Sequence, residues 1–293
     1  MSFIDWWQSA FRSKPWRQQW RSSISAFNYA RSNYALAIVF ALGLGWSVSF
    51  AAFQDNLVWQ YFGCRHEGFF IEVGANDPVD GSLTWLLEQN GWRGILVEPQ
   101  RRLYETLKSR RPASQVVCAA CTAPEKRGQM DLHIPAGNLD GFATLEPNLE
   151  DSYIEYERAE KTEALPLDEV IERSGLGQKV DFVSIDTEGT ELDVLRGFTL
   201  EKHEPGLVLL EDKGQSLDKH RHLVRHGYKL VKRTQLNNWY VPRESRFEMT
   251  GFGERLCLWR KVFLGYPFRK LRHWRHTRKR AGATSNPAQP SLA

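Results

Sequence analysis

Four groups of acidic residues in this 293-residue sequence stand where an α/β sheet does its chemistry. Glu72 opens the run Glu72-Val73-Gly74-Ala75-Asn76-Asp77. Glu98 precedes Pro99, Asp186 opens Asp186-Thr187-Glu188-Gly189, and Glu211 closes Leu207–Glu211. Each group sits at the end of a short apolar run. Core strands gain nothing from terminal carboxylates, and four converging on one edge would repel one another unless they held hydroxyls or cations. Acids also favour the helices that follow them, which explains one such position more readily than all four. Gly74 lets the backbone approach a ligand closely. The G-x-G-x-x-G fingerprint fails, because Asn76 and Val79 occupy its second and third glycine positions. Glu98 lies 26 residues after Glu72, where an acid can take the two hydroxyls of a ribose. A glycine turn without a phosphate cradle, an acid for a ribose and an acidic edge suit a cationic nucleoside. S-adenosylmethionine (SAM) is such a molecule.

The elements that would position these residues alternate. Apolar runs predict strands at Phe69–Val73, Gly94–Glu98, Gln115–Ala120, Val180–Asp186 and Gly206–Glu211. Helices are expected over Ser82–Gln89, from Pro99 to before Pro112, over Leu167–Gly175, over Thr190–Arg196 with a Thr190/Asp193 capping box, and up to His226-Gly227. Tyr228–Arg233 and Trp239–Val241 read as a closing antiparallel pair. The segment 121–166 is less regular, with a hairpin expected around Met130–Ile134 and an acidic stretch over Glu146–Glu163. The expected fold is α/β: a doubly wound, mostly parallel seven-stranded sheet, with an N-terminal helical segment and a basic C-terminal extension.

FFIEVGAND (69–77), GWRGILVEP (91–99), LPLDEV (165–170), DFVSIDTEGTELDVLRG (181–197) and LVLLE (207–211) resemble, in order and spacing over roughly residues 53–242, the FkbM-type SAM-dependent methyltransferases. The resemblance implies a Rossmann-like class I methyltransferase fold, SAM as cofactor, and O-methylation of a hydroxyl on a sugar, lipid or secondary metabolite. It places Glu72, Gly74, Ala75, Asn76, Asp77, Glu98, Pro99, Ala120 and Asp186 at the cofactor, with Ala119 or Ala120 near the adenine. Asp186 and Glu188 would face the methyl group and the acceptor, one of them taking the hydroxyl proton or orienting it. Pro78 replaces a glycine common in class I methyltransferases, Gln54-Asp55-Asn56 fits the family's opening only loosely, and 121–166 matches weakly.

The composition is ordinary for a globular chain, with 42% hydrophobic and 25% charged residues, and four cysteines exclude a disulfide-stapled domain. The net charge of +4 divides unevenly: +3 over 1–60, +9 over 254–293 and therefore −8 over 61–253. An acidic body is poorly suited to a phosphate backbone, which argues against nucleic acid as a partner. We divide the chain into a basic, Trp-rich segment with an apolar helix (1–52), a methyltransferase domain (53–253) and a basic aromatic extension (254–293), with disorder expected from Gly282. Ala35–Phe53 carries no charge over nineteen residues. It reads as a membrane-anchoring helix, as an amphipathic or buried helix on the body, or as a cleaved signal. A spanning helix with cations on its N-terminal side would put the body outside, where SAM is scarce. The reading favoured is a cytoplasmic body with a non-spanning, membrane-touching or packing helix, and a single-pass protein is the alternative. The basic C-terminal stretch reads as a solvated helix face or a membrane-surface contact.

Cys118-Ala-Ala-Cys121 has no second cysteine pair and reads as buried thiols. His222 and His226 have metal-ligand spacing without an intervening H-E-x-x-H glutamate. Asp186, Glu188 and Glu211 could hold a divalent cation, as some O-methyltransferases do, but no metal is assigned. The competing functions are a nucleotide-linked enzyme on the same sheet and a membrane-tethered binding protein that has lost catalysis.

Overall fold

The structure is a computed structural model that describes residues 50–137, 139–147, 154–176, 179–271 and 275. Helix α1 (Phe50–Tyr61) leads into β1 (Phe69–Val73), α2 (Trp85–Gln89), β2 (Arg93–Val97), α3 (Arg101–Arg110) and β3 (Gln115–Val117). Then come β4 (Ala120–Cys121), β5 (Gly128–Pro135), β6 (Tyr156–Leu165), α4 (Leu167–Ser174), β7 (Phe182–Ile185) and α5 (Glu191–Arg196). The chain continues through α6 (Leu200–His203), β8 (Leu207–Glu211), α7 (Asp218–Arg225), β9 (Tyr228–Thr234), β10 (Asn237–Pro242) and α8 (Phe252–Trp259).

Seven strands pair in the order β3-β2-β1-β7-β8-β10-β9. The first five are parallel, and β10 runs antiparallel to both β8 and β9. Parallel strands carry helices on both faces, so both sets of alternate side chains must be apolar. Ile71, Val73, Ile95, Val97, Val183 and Ile185 meet α4, α5 and α7 through Val170, Val194 and Leu223. Phe70, Leu96, Phe182, Leu209 and Trp239 meet α1, α2 and α3 through Val58, Leu87 and Leu107. The chain winds outward from β1 in both directions, so the switch point lies between β1 and β7, where such sheets bind ligands.

Three expectations are corrected. Gln115–Ala120 is not one strand. Val117 pairs with Val97 in the main sheet, whereas Ala120 pairs with Ala164 in a second sheet of order β4-β6-β5. Met130–Ile134 forms no local hairpin but pairs with Arg158–Thr162 across a long connection. The acidic stretch therefore contains a strand, β6, whose outward charges find cross-strand partners such as Asp131 with Lys161 at 2.8 Å. Finally, the helix expected from Ser82 begins only at Trp85, because Ser82, Leu83 and Thr84 are bound to Glu72.

Residues 35–49 of the apolar segment, the Trp-rich stretch before them and the tail from Gly282 lie outside the described residues. Phe50–Phe53 form the first turn of α1. Among the described residues no helix is long and apolar enough to cross a membrane.

Candidate active site

Gly74 ends β1 at φ +80°, and its N–H and that of Ala75 donate to Val97 O on β2 at 3.0 and 3.1 Å. A Cβ at Gly74 would stand 1.8 Å from the carbonyl oxygen of Asp186 on the neighbouring β7. The β1 turn and the β7 end therefore touch backbone to backbone, which only glycine permits. Asn76 follows in the left-handed region at φ +47°, and its N–H donates to Glu98 Oε2 at 2.9 Å. Glu98 Oε1 accepts from Gln100 N–H at 2.9 Å. The Glu98 carboxylate thus joins the β1 turn to the start of α3.

The carboxylates of Glu72 and Asp77 are engaged by the loop after β1. Glu72 is buried, and it accepts from Ser82 Oγ, Leu83 N–H and Thr84 Oγ1 at 2.9, 2.8 and 2.6 Å. Asp77 Oδ1 accepts from the N–H groups of Val79 and Asp80, both at 2.8 Å. A buried carboxylate must be satisfied by donors. Here the donors belong to the loop after β1, so these two acids shape that loop. Arg111, fully buried, braces it from below through Pro78 O, Ser82 Oγ and Thr84 Oγ1, and is paired with Glu88 at 2.8 Å.

A narrow pocket opens beside the turn between Gly74, Pro99, Ala120, Leu132, Leu145 and Thr187. Its far wall comes from the second sheet, whose own core joins Ala120, Leu132, Leu145 and Ala164. The connection after β5 also reaches the turn: a Cβ on Gly141 would stand 2.9 Å from Asn76 Nδ2. An apolar slot, a glycine turn and the Glu98 carboxylate thus lie together at the carboxyl ends of β1 and β2. A wider cleft, lined by Leu192, Arg196, Asp218, Arg221, His222 and Arg225, contains none of the expected site residues.

At the carboxyl ends of β7 and β8, carboxylate oxygens of Asp186, Glu188 and Glu211 all lie within 4.8 Å of one another. Asp186 is exposed as a residue, but protein crowds its carboxyl, and that crowding, with Glu188 and Glu191 nearby, pushes it from the usual 3.8 to about 7. Glu211, buried and beside Asp186, is pushed up to about 9, again first by burial and then by its acidic neighbours. Oxygens of the two carboxyls lie within 4.8 Å of each other. Like charges this close do not ionise together, so the pair holds a proton near neutral pH. Lys213 Nζ lies 2.9 Å from Glu188 Oε2. A divalent cation could bridge such a triad, and a lysine already brings positive charge to it.

Sequence reasoning missed the residues that shape this edge. Glu191 Oε1 accepts from Gly189 N–H at 2.8 Å and Thr187 N–H at 3.2 Å, while Lys219 Nζ joins Glu191 Oε2 at 3.0 Å and Glu211 O at 2.9 Å. The capping box expected at Thr190 does not form. Thr190 Oγ1 donates to Thr187 O, and Asp193 pairs with Lys126 and Arg196. Glu191 takes over the turn because its carboxylate can reach two N–H groups at once. Asp55 on α1 is also new: it is 7% exposed, its Oδ1 has no hydrogen-bond partner among the described residues, and burial pushes it from 3.8 to about 7, with Glu72 adding to the effect. The only signal for it was the polar triplet Gln54-Asp55-Asn56 at the end of an apolar run. Cys118 is half-buried and Cys121 buried, both as free thiols, and His226 pairs with Glu201 while its ring lies 4.5 Å from that of His222.

A family model described as the methyltransferase FkbM domain matches residues 72–230. No curated protein matches the chain. Among solved structures, a methyltransferase FkbM from Methylobacillus flagellatus KT is 18% identical, over 60% of this chain and 44% of that one, with a TM-score of 0.40. This chain thus covers less than half of that protein. A TehB-like SAM-dependent methyltransferase from Corynebacterium glutamicum ATCC 13032 Kitasato is 11% identical, over 72% of this chain and 94% of that one, at a TM-score of 0.33. A precorrin-6y C5,15-methyltransferase from Geobacter metallireducens GS-15 is 12% identical, over 64% and 85%, at 0.33. The family match spans more than half of the 293 residues and every strand of the parallel sheet, with β1 entered at Glu72, so the chain belongs to the FkbM family of methyltransferases, a family that implies a SAM-type cofactor.

Proposed function

We propose that the protein transfers a methyl group from SAM to a hydroxyl of a small molecule, glycan or lipid, with a cytoplasmic catalytic body and no nucleic-acid substrate. The observation that carries this reading is the meeting of the Gly74 turn with Asp186 at the switch point, beside a carboxyl pair that holds one proton near neutral pH.

When bound, the sulfonium supplies an electrophilic methyl group. The chain's residues do the rest. Gly74, Ala75 and Asn76 give the backbone surface against which the cofactor lies. Glu98 takes the ribose hydroxyls, and Pro99 and Ala120 line the adenine slot. Much of the barrier reduction comes from holding the acceptor oxygen in line with the methyl group. Asp186, with its pKa near 7, is matched to accept the hydroxyl proton as the new carbon–oxygen bond forms. Glu211 keeps its own proton and donates toward Asp186. Glu188, held by Lys213, orients the acceptor. The products are a methyl ether, a neutral thioether and a proton.

The test is calorimetric titration of the full chain with SAM, followed by turnover on a panel of hydroxyl acceptors. Glu98→Ala should lose SAM affinity by about tenfold or more, the equivalent of about 1.4 kcal/mol. Asp186→Asn should bind SAM within a few fold of the parent and lose most turnover. A normal rate in Asp186→Asn would refute the role of the base, and absence of SAM binding in a folded chain would refute the reading as a whole.

A further inference from the structure

The chain after the sheet presents a surface that methyl transfer does not use. Helix α8 buries none of its residues, and it runs through a π turn, Arg260–Leu264, into helical residues 266–271. Phe252, Leu256 and Trp259 recur at i, i+4 and i+7 and are 84%, 59% and 51% exposed. Leu264, Phe268 and Leu271 repeat the spacing at 52%, 73% and 45%. Leu264 follows Trp259 by five positions. That is the i→i+5 step of a π turn, closed here by Gly265 N–H on Arg260 O at 3.0 Å. In an unbroken α-helix the extra residue would rotate the second triplet away from the first. The π turn absorbs it, and the two triplets continue as one stripe. Six of the eight exposed large apolar residues among the described residues lie in this stretch. Such concentration marks an interaction surface.

Arg255, Arg260, Lys261, Arg269 and Lys270 accompany the stripe against a single acid, Glu254, and Arg272, Arg275, Arg278, Lys279 and Arg280 follow in sequence. The opposite side of the stretch is held to the body: Val262 is buried, Phe263 packs on His220 with ring centres 5.2 Å apart, and Glu254 lies 3.5 Å from Lys232 Nζ. Arg269 Nε donates to Gly214 O at 2.7 Å, and its other nitrogens donate to Lys261 O and Val262 O at 2.6 and 3.0 Å. Gly214 brings its backbone close to this side chain: a Cβ there would stand 2.7 Å from Arg269 Nε, which would have to shift.

We propose that residues 252–271 dock on an anionic lipid bilayer, with the apolar stripe at the headgroup boundary and the flanking cations on anionic headgroups. Charge decides against the other occupants. A second copy would set five cations against five, and a nucleic acid would satisfy the cations but leave six large apolar side chains wet. Lys213, adjacent to the Arg269 contact, is the partner of Glu188, so docking would set the acidic edge close to the membrane.

The test is hydrogen exchange of the full chain, read by mass spectrometry, with vesicles of phosphatidylcholine alone or mixed with phosphatidylglycerol. It needs no turnover, so its failure is distinct from failure of the methyltransferase reading. Protection over 252–271 is expected with the anionic vesicles only, and should weaken with salt. The double variant Phe252→Glu, Phe268→Glu replaces exposed side chains. It should keep the parent melting temperature and lose protection of this segment by about tenfold or more. Slow exchange over 252–271 without vesicles would mean that another part of the chain or a second copy covers the stripe. That result, protection confined to residues before 54, or no protection at all would overturn the proposal.

Discussion

Replacing Gly74 by alanine tests the contact on which the site is built. The backbone is at φ +80°, where an alanine is disfavoured by about 1–2 kcal/mol. The new Cβ would lie 1.8 Å from Asp186 O, more than an ångström closer than side-chain carbons approach any heavy atom. Both atoms belong to the backbone framework, so no rotamer relieves the clash. β1 and β7 must part at their carboxyl ends, at a cost of the size seen on overpacking, about 1–3 kcal/mol. The expected loss is therefore about 2–5 kcal/mol, and SAM affinity should fall by about tenfold or more, because Gly74 and Thr187, the residue after Asp186, line the same slot. Gly81 is the control. Its φ is +88°, but a Cβ there meets nothing within 4 Å, so Gly81→Ala should show only the conformational part, about 1–2 kcal/mol. Urea denaturation of the parent and both variants, with slopes compared, measures the difference, and calorimetry measures the binding. If Gly74→Ala is no less stable than Gly81→Ala and binds SAM as the parent does, the argument from the β1–β7 contact is wrong.

Three further outcomes follow from other parts of the fold. Asp55 has its folded pKa raised from 3.8 to about 7, so the native state keeps a proton that the unfolded chain releases. The stability it contributes is complete below pH 3.8 and drains away as the pH climbs to about 7, a change on the order of 4 kcal/mol at most. Asp55→Asn should flatten that fall in pH-dependent unfolding, and an unchanged pH profile would count against a buried acid that holds its proton in the native state. Arg111→Met should cost about 3–5 kcal/mol in urea unfolding, since it leaves the 3%-exposed Glu88 side chain without its partner and unpins the Ser82–Thr84 turn. Restoring stability by adding Glu88→Gln to it would confirm that the uncompensated charge was the cause. Finally, a thiol reagent at neutral pH should modify Cys64 and Cys257 quickly, because both are exposed, and leave Cys121 intact, because burial pushes its thiol up to about 12.

The parallel sheet was legible because its strands are buried on both faces. Phe69–Val73 and Leu207–Glu211 are buried at every position and read as continuous apolar runs, to which Gly74 and Pro99 add punctuation. β6 was not legible, because its residues Glu157, Arg158 and Ala159 face solvent and its stability comes from partners on β5. Helix starts were misplaced where a side chain diverted the local hydrogen bonds, as Glu72 does at Ser82–Thr84 and Glu191 at Thr187–Gly189. The π turn was hidden for a related reason. Its apolar triplets break α-helical spacing, and only the backbone shows that the extra residue is absorbed.

What the sequence determined alone was the order of the parallel strands and the acids that stand at their carboxyl ends. Local patterning suffices for that, because strand burial and glycine turns are written within five to ten residues. Only the tertiary structure decided what each acid does. Glu72 and Asp77 fold inward onto the loop after β1, Glu98 ties that loop to α3, and Asp186 meets Glu211 from a strand twenty-five residues away in sequence. A carboxylate's role depends on which donors and which other charges surround it, and those arrive from distant segments only when the sheet closes.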